Sequence, residues 1–277
     1  MKTFLKDCKW GRFLLLRGDM VSQWADLYGE WQEMEVSLFA KMLRPDSNVI
    51  EVGANIGLHA VPLSKVATQG RVICFEPQRI LHQLLCANCA LNDVLNVHAL
   101  HCAVGARSGT VEVNMSDYAT PWNYAALSLD RGFDTEAAFP GHRWSERVPI
   151  VTLDEEPHIR DLDSVALLKI VVEGLEIDVL EGARELVKKH RPVLFVENRE
   201  EQKSAKLIDA IRAQDYECYW FCAERFRRSN YNQIGWKLSG HDIKMLCFPK
   251  ELRHAGFGLP PVQGYDDLKR DKVIVTE

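Results

Sequence analysis

A strand, a glycine turn and a helix start follow one another between residues 49 and 66, and this succession constrains the fold most strongly. Val49 to Val52 is apolar except for Glu51, and the next residues read Gly-Ala-Asn-Ile-Gly. Open α/β sheets bind ligands in turns of this kind, at the carboxyl ends of their strands. Glycines let a ligand approach the backbone, and the free N–H groups of a helix start favour an anion. The turn predicts a ligand site formed by Glu51, Gly53, Ala54, Asn55 and Gly57.

A second acid follows the next apolar run, where Val72 to Phe75 ends in Glu76-Pro77. A carboxylate at this place can accept hydrogen bonds from both hydroxyls of a ribose. A dinucleotide site usually reads Gly-x-Gly-x-x-Gly, whereas this turn reads Glu-x-Gly-x-x-x-Gly and lacks one glycine. The spacing therefore favours S-adenosylmethionine, with its methionine carboxylate near the helix start and its ribose at Glu76 and Pro77.

The third predicted strand, Val97 to Leu100, leads into Cys102 and Ala103, where an adenine ring would lie. His101 lies beside them, and single His and Cys residues at such places more often pack than bind. With helices such as Arg79 to Leu91 between the strands, the sequence predicts an α/β fold. Its sheet is mostly parallel, has six or seven strands, and is covered by helices on both faces.

Two further strand ends carry acids. Val165 to Val172 is nearly all apolar, as expected of a strand covered on both faces, and ends at Glu173; Val193 to Val196 ends at Glu197. Because parallel strands end at the same edge, both acids are expected beside the cofactor turn. Glu173 and Glu197 are therefore candidate catalytic groups, together with His241 before the last predicted strand.

The length of 277 residues suits one enlarged α/β domain. We expect an N-terminal cover helix region (1–47), a Rossmann-like core (48–250) and a loosely held tail (251–277). The net charge of −5 gives no electrostatic footprint for nucleic acid. Met1 to Gly18 shows neither a signal peptide nor a membrane span, so the sequence predicts a cytoplasmic protein without a membrane partner. The oligomeric state stays open, a homodimer included.

A long irregular section, residues 115–147, interrupts the core and is rich in aromatic residues. Such a section is typical of a substrate lid or specificity loop. An aromatic cluster packed for its own stability explains any one of these side chains equally well.

The eight cysteines lie mostly inside predicted strands and helices, which indicates reduced core residues. Cys86-Ala-Asn-Cys89, with His82 one turn before it, is an alternative half of a zinc site. A second pair of ligands at suitable spacing does not follow.

Several motifs together resemble one protein family. Glu51-Val-Gly-Ala-Asn-Ile-Gly57, Phe75-Glu76-Pro77, Leu168-Lys-Ile-Val-Val-Glu-Gly174, Val179-Leu-Glu-Gly-Ala183 and Glu197 look like the FkbM-type S-adenosylmethionine-dependent methyltransferases. The resemblance covers roughly residues 28 to 200. It implies a Rossmann-like class I methyltransferase fold with a mostly parallel seven-stranded sheet. It also implies methyl transfer to oxygen on sugars, polyketides and related small molecules.

One position departs from the family pattern. The family reads Lys-x-Asp-Val-Glu-Gly where this chain has Val171 in place of the aspartate. The missing carboxylate would be a base, a metal ligand or a cofactor contact, so Glu173 or Glu197 has to replace it if the chain is active. Glu197-Asn198 also resembles the acid-amide pair that holds Mg²⁺ in catechol-type O-methyltransferases, which makes it a candidate metal site.

Three functions remain open from the sequence. The first is an O-methyltransferase that acts on a small-molecule hydroxyl acceptor. The second is a protein that binds the cofactor with a degenerate active site, which Val171 suggests. The third is an NAD-dependent oxidoreductase, for which one glycine and a hydride-site acid-base pair are missing.

Overall fold

The computed structural model describes residues 2–129, 131–135, 137–252, 256–270 and 274–275. Its strands are β1 (Thr3–Cys8), β2 (Gly11–Leu16), β3 (Val49–Val52), β4 (Val72–Phe75), β5 (Val97–Leu100), β6 (Ala103–Val104), β7 (Gly109–Ser116), β8 (Arg143–Val151), β9 (Leu167–Ile170), β10 (Val193–Glu197), β11 (Tyr216–Glu224), β12 (His241–Pro249) and β13 (Ile274–Val275). Its helices are α1 (Met20–Tyr28), α2 (Glu33–Met42), α3 (Ala60–Val66), α4 (Arg79–Leu91), α5 (Pro157–Arg160), α6 (Glu176–Glu181), α7 (Arg184–His190) and α8 (Glu201–Arg212). Short 3₁₀ turns cover Tyr124–Ala126, Gly256–Gly258 and Tyr265–Arg270.

The central sheet has the strand order β13-β11-β12-β10-β9-β3-β4-β5. Strands β5, β4, β3, β9 and β10 run parallel, while β12 runs antiparallel to both β10 and β11. The mostly parallel Rossmann-like sheet is therefore confirmed. Among the described residues it has eight strands instead of seven, because the two-residue β13 pairs with β11 at one edge.

Both faces of this sheet are covered, as the apolar strands predict. Side chains alternate along β3, so that Val49 joins the hydrophobic core on one face and Ile50 the core on the other. On β4, Cys74 and Phe75 divide in the same way. The first core includes Phe39 of α2, and the second includes Val179 of α6. Every residue of β3, β4 and β9 is buried.

The predicted N-terminal cover region holds more than a helix. The antiparallel hairpin β1-β2 precedes α1 and α2, and it packs on α4 through two asparagines. Asn88 Oδ1 accepts from the Leu14 amide at 2.6 Å, and Asn92 Nδ2 donates to the Arg12 carbonyl at 2.7 Å. Asp19 begins α1 as its N-cap and accepts from the Ser22 amide at 2.8 Å.

The irregular section is shorter than predicted. Strand β7 runs to Ser116 and β8 begins at Arg143, and the two pair antiparallel in a three-stranded sheet with β6. The irregular part therefore lies between 117 and 142. The single helix predicted after the fourth strand is divided into α6 and α7 around Gly182.

The C-terminal tail packs on the sheet edge where the structure describes it. Val262 is buried, and Trp220 Nε1 of β11 donates to Asp267 Oδ2 at 2.9 Å. These contacts differ from the loosely held tail that its glycine and proline content predicts. None of the helices in the described part of the chain combines the length and the apolar character needed to cross a bilayer.

Candidate active site

The turn after β3 requires glycine at two positions. Gly53 has a φ of +84°, and a Cβ added there would lie 2.0 Å from the Val171 carbonyl oxygen. Gly57 has a φ of +85°, and its Cβ would lie 2.7 Å from Leu85 Cδ1 of α4. L-residues rarely adopt such angles, so both glycines are needed for the backbone path. The turn thereby packs directly on the end of β9.

The amide groups of this turn donate inside the protein. Gly53 N and Ala54 N donate to the Phe75 carbonyl at 3.0 and 3.1 Å, and Gly57 N donates to the Ala54 carbonyl at 3.0 Å. The two amides between them bind side-chain oxygens: Asn55 N donates to Glu76 Oε2 at 2.8 Å and Ile56 N to Asn55 Oδ1 at 2.7 Å. The amides of residues 53–57 are therefore satisfied within the protein, and the anion site at the helix start stays a prediction.

Glu76 lies at the end of β4 with its carboxylate held from two sides. Oε2 accepts from the Asn55 amide, and Oε1 accepts from the Gln78 amide at 2.9 Å. Burial raises the pKa of this carboxyl to about 7. Each carboxylate oxygen has a second lone-pair site, so Glu76 can still accept two donors such as the hydroxyls of a ribose.

Two adjoining cavities open above the carboxyl ends of the strands. The Glu76 cavity has about 520 Å³ of space including its mouth, and Glu76, Pro77, Cys102 and Ala103 line it together with Phe75, Val104, Leu127, Leu129 and Val172. The Glu197 cavity has about 720 Å³. Glu51, Gly53, Ala54, Asn55 and Glu197 line it. Five residues line both cavities: Gly53, Gln78, Ala125, Val171 and Glu173.

The structure thus brings most of the predicted site residues to one cleft, and separates three from it. Gly57 packs behind the turn against Leu85. His241 is exposed at the start of β12, and its neighbour Asp242 lines the Glu197 cavity instead. Asn198 is buried with Nδ2 donating to Met245 Sδ at 3.3 Å, outside the cavity walls.

The predicted magnesium pair does not fit a metal site. Glu197 faces the cavity while Asn198 binds Met245, because successive strand residues point to opposite faces. Among the described residues, no three His, Cys, Asp or Glu side chains are grouped to hold a metal ion. The candidate zinc ligands are also separated from one another: Cys86 is exposed beside His82, whereas Cys89 is buried in the core.

Two buried lysines form ion pairs beneath the cleft. Lys169 Nζ of β9 lies 2.9 Å from Glu51 Oε1 of β3, and Lys244 Nζ of β12 binds Glu35 of α2. All four side chains are almost fully buried. The ring of His59 lies between the two acids, with Nδ1 3.9 Å from Glu51 Oε1 and Nε2 3.9 Å from Glu35 Oε2. Burial, together with both lysines, lowers the pKa of His59 well below its usual value, so the imidazole is neutral at pH 7.

An arginine closes one side of the cleft. Arg225 binds Asp242 through two hydrogen bonds of 2.7 and 3.0 Å, and its guanidinium lies over the rings of Trp24 and Trp31. Burial alone would raise the pKa of the Asp242 carboxyl, but Lys244 and Arg225 outweigh it and lower the pKa to about 2. On the other side, Arg199 Nη1 lies 3.7 Å from Glu173 Oε1.

The sequence did contain a signal for the two lysines. Lys169 interrupts an otherwise apolar strand, and Lys244 directly precedes the apolar run Met245 to Phe248; a buried charge in such a place must be paired. Their acidic partners could not be named from the sequence, because Glu35 comes from a helix whose buried side the sequence does not identify. His59, which precedes α3, and Arg225, which follows β11, were missed as well, because no local pattern indicates what they pack on.

The irregular section supplies the roof of the cleft. Its aromatic residues pack on one another: Tyr124 contacts Tyr118, Phe133 and Phe139 with ring centroids 4.5 to 6.2 Å apart. We call residues 123–129 the roof segment, and five of them line the cavities: Asn123, Ala125, Ala126, Leu127 and Leu129. Gln78 fixes this segment, since Nε2 donates to the Tyr124 carbonyl at 2.9 Å and Oε1 accepts from Tyr118 Oη at 3.0 Å. The packed aromatic cluster is therefore present, while a lid or specificity role for the section stays a prediction.

A comparison with protein families identifies the chain. Residues 51–218, more than half of its length, match the methyltransferase FkbM domain. The chain belongs to the FkbM methyltransferase family. The residues that carried the resemblance, from the turn at Gly53 to the acid at Glu197, all lie in this matched part. Family membership favours methyl transfer over the oxidoreductase alternative.

The chain is also similar to individual proteins and to a solved structure. Methyltransferase sdnD of Sordaria araneosa is 31% identical over 157 residues, which cover 50% of this chain and 60% of that protein. Methyltransferase 1 of Beauveria bassiana is 26% identical over 152 residues, covering 50% and 58%. The chain thus spans about three fifths of the length of these relatives. A crystal structure of an FkbM methyltransferase from Methylobacillus flagellatus has a TM-score of 0.47 and 17% identity over 76% of this chain and 48% of that chain.

Proposed function

We propose that this FkbM domain transfers the methyl group of S-adenosylmethionine to a hydroxyl group of a small molecule. One observation carries the proposal: of the five residues that line both cavities, Glu173 is the only ionisable one. Methyl transfer requires the acceptor oxygen and the donor carbon to meet in line at roughly 3 Å. The junction of the two cavities is the natural place for this meeting, and a carboxylate there can accept the proton of the hydroxyl.

The residues of the Glu76 cavity fit the nucleoside part of the cofactor. Glu76 retains acceptor sites for the ribose hydroxyls, and the apolar side chains of Phe75, Cys102 and Leu127 form a slot suited to an adenine ring. Gly53 brings the backbone close to the space between the cavities because it has no Cβ. When bound, the cofactor supplies a methyl group that its sulfonium already activates. The protein therefore contributes mainly position, and Glu173 a proton acceptor.

The acceptor is expected in the Glu197 cavity, where polar and charged residues form the floor and the roof segment forms the cover. Nucleic acid is not a proposed partner, since the net charge is −5. A membrane partner is not proposed either. The proposed site of action is the cytoplasm.

Two experiments test this function. Calorimetric titration with S-adenosylmethionine, S-adenosylhomocysteine and NAD should show micromolar binding of the first two alone. A screen of hydroxyl acceptors with a labelled methyl donor then follows. Glu173→Gln should lower turnover by about 10² to 10⁴ with little change in cofactor affinity, whereas Glu112→Gln, at an exposed acid of β7, should change neither. Strong NAD binding, or full turnover by Glu173→Gln, would contradict the proposal.

A second candidate is a protein that binds the cofactor without turnover. It is motivated by Val171, which lines both cavities at the place where the family pattern has an aspartate. Turnover by a Val171→Asp variant separates an active methyltransferase from a protein that only binds the cofactor.

A further inference from the structure

Each cation on the wall of the Glu197 cavity forms an ion pair with an acid of the same wall. Four acids and three cations line this cavity. The cations pair as Lys169–Glu51 at 2.9 Å, Arg225–Asp242 at 2.7 Å and Arg199–Glu173 at 3.7 Å. One acid, Glu197, is therefore left over. His59, the remaining ionisable group of the wall, is neutral at pH 7 and does not compensate the extra charge.

Glu197 is buried and unpartnered. Glu197 is only 6% exposed, and within the described residues its carboxylate shows no hydrogen bond and no ion pair within 4.0 Å, since Arg199 pairs with Glu173 and Lys244 with Glu35. Lys244 lies opposite it on β12 but binds Glu35. Burial raises the pKa of the Glu197 carboxyl, although the charges of Lys244 and Arg199 oppose this shift. A buried carboxylate of this kind is costly unless a ligand supplies a donor or a positive charge.

Val171 determines how many unpaired carboxylates this wall carries. The family aspartate at this position would add a second carboxylate to the wall, whereas the valine leaves Glu197 as the single unpaired acid. The cavity therefore has a place for one positive charge. Anionic acceptors are disfavoured for the same reason, because no cation of the wall is free to bind them.

We infer that the methyl acceptor carries an amino group, protonated at neutral pH, that binds Glu197 while its hydroxyl group lies at Glu173. This inference rests on the proposed function for the role of the hydroxyl, but the amine site stands on the geometry of Glu197. The acceptor class is thus an amino alcohol, or a phenol that carries an aliphatic amino group. Glu197 serves as the anchor that selects the acceptor by charge, and Glu173 as the group that takes the proton.

The test uses three probes that share a phenyl ring and differ in charge: benzylamine, N-benzylacetamide and benzoate. Their binding to the full chain is measured by NMR saturation transfer, with and without S-adenosylhomocysteine. We expect benzylamine to bind about tenfold more tightly than N-benzylacetamide, and benzoate to bind most weakly. In Glu197→Gln the advantage of benzylamine should fall to about twofold or less. The control Glu112→Gln removes an exposed acid and should keep the advantage.

Retention of the amine preference in Glu197→Gln, or equal binding of benzylamine and N-benzylacetamide to the wild type, would overturn the inference. If Glu197→Gln fails to fold, Glu197→Asp supplies the second measurement, since it keeps the charge and should keep the preference. A loss of the preference in Glu197→Asp would count against the inference. Failure of the proposed function shows differently: S-adenosylhomocysteine would not bind, while the amine preference at Glu197 would persist.

Discussion

Lys244 of β12 lies directly opposite Glu197 of β10, yet its ammonium group donates to Glu35 of α2. The charge of Lys244 thus holds α2 on the sheet and does not pair with Glu197. Removal of one partner from a buried ion pair leaves the other charged and unpaired, which is strongly destabilising. The pair therefore stabilises the wall on which Glu197 stands.

The first prediction concerns this pair. Lys244→Met should lower the free energy of unfolding by about 3 to 5 kcal/mol because Glu35 remains buried without its partner. The double variant Lys244→Met/Glu35→Leu should recover most of this loss. Urea denaturation at pH 7 measures both, with Lys250→Met at an exposed lysine as the control. A single variant as stable as the wild type would show that the pair contributes nothing.

The second prediction concerns the pH dependence of cofactor binding. Burial raises the pKa of Glu76 to about 7, and only the ionised form offers all its oxygen lone pairs to the ribose hydroxyls. Affinity for S-adenosylhomocysteine should therefore fall as the pH drops below about 7. Glu76→Gln should bind more weakly, by about 1 to 3 kcal/mol, and should lose this dependence. Calorimetry between pH 5.5 and 8.5, a range chosen around that pKa, tests both; an unchanged affinity in Glu76→Gln would remove Glu76 from the site.

The third prediction concerns Glu176, the first residue of α6. Burial, and then the charge of Glu197, raise the pKa of its carboxyl from 4.5 to about 8. The folded state therefore holds a proton that the unfolded state releases between these values, so this group's contribution to stability falls as the pH rises through the window. Glu176→Gln removes the titration and still accepts from the Gly174 amide. Relative to the wild type, its free energy of unfolding should increase from pH 5 to pH 8.5, a range chosen to span that pKa shift, by a few kcal/mol.

Denaturation at several pH values measures this difference. Glu155→Gln, at an exposed acid near β8, provides the control because its hydrogen bond is at the surface. Parallel stability curves for Glu176→Gln and the wild type would contradict the assignment of the proton to Glu176.

The fourth prediction separates an active enzyme from a degenerate one. Val171→Asp adds a carboxylate to a wall that already holds one unpaired acid, so we expect turnover to fall by about tenfold through like-charge repulsion. Val171→Thr changes the polarity without the charge and should be nearly neutral. Labelled-methyl assays with the acceptor found in the screen measure both variants. A tenfold gain in Val171→Asp would instead show that the present chain carries an impaired site.

The sequence predicted the strands and helices whose ends are marked by residues that interrupt regular secondary structure. Val72–Phe75, Arg79–Leu91 and Val97–Leu100 have the same bounds in the structure as in the prediction, because apolar periodicity and flanking polar residues agree there. The hairpin β1-β2 was missed, since its position depends on contacts with Asn88 of α4 and with Asn92 just after that helix, far away in the chain.

In the candidate site, too, some positions follow from local sequence and others from distant contacts. Glu76, Glu173 and Glu197 follow parallel strands, and the parallel topology alone places them on one rim. His241 was wrong by one residue: β12 is antiparallel, and a shift of one position along a strand exchanges the two faces, so Asp242 lines the cavity instead. Partners that come from helices, such as Glu35, depend on packing that no local pattern specifies.

Backbone hydrogen bonds hold the roof segment at both ends, and the side chains between those ends take no part in them. Trp122 exchanges backbone hydrogen bonds with Gly18 and Met20, and Ser128 exchanges two with Gly132. The aromatic cluster around Tyr124 keeps these attachments in place. Small changes at residues such as Ala125, Ala126 and Leu127 therefore reshape the cleft without disturbing the core. On the proposed function, such a division separates the residues that shape the acceptor space from the strand ends that form the opposite wall, so substitutions in the roof segment can alter one without the other.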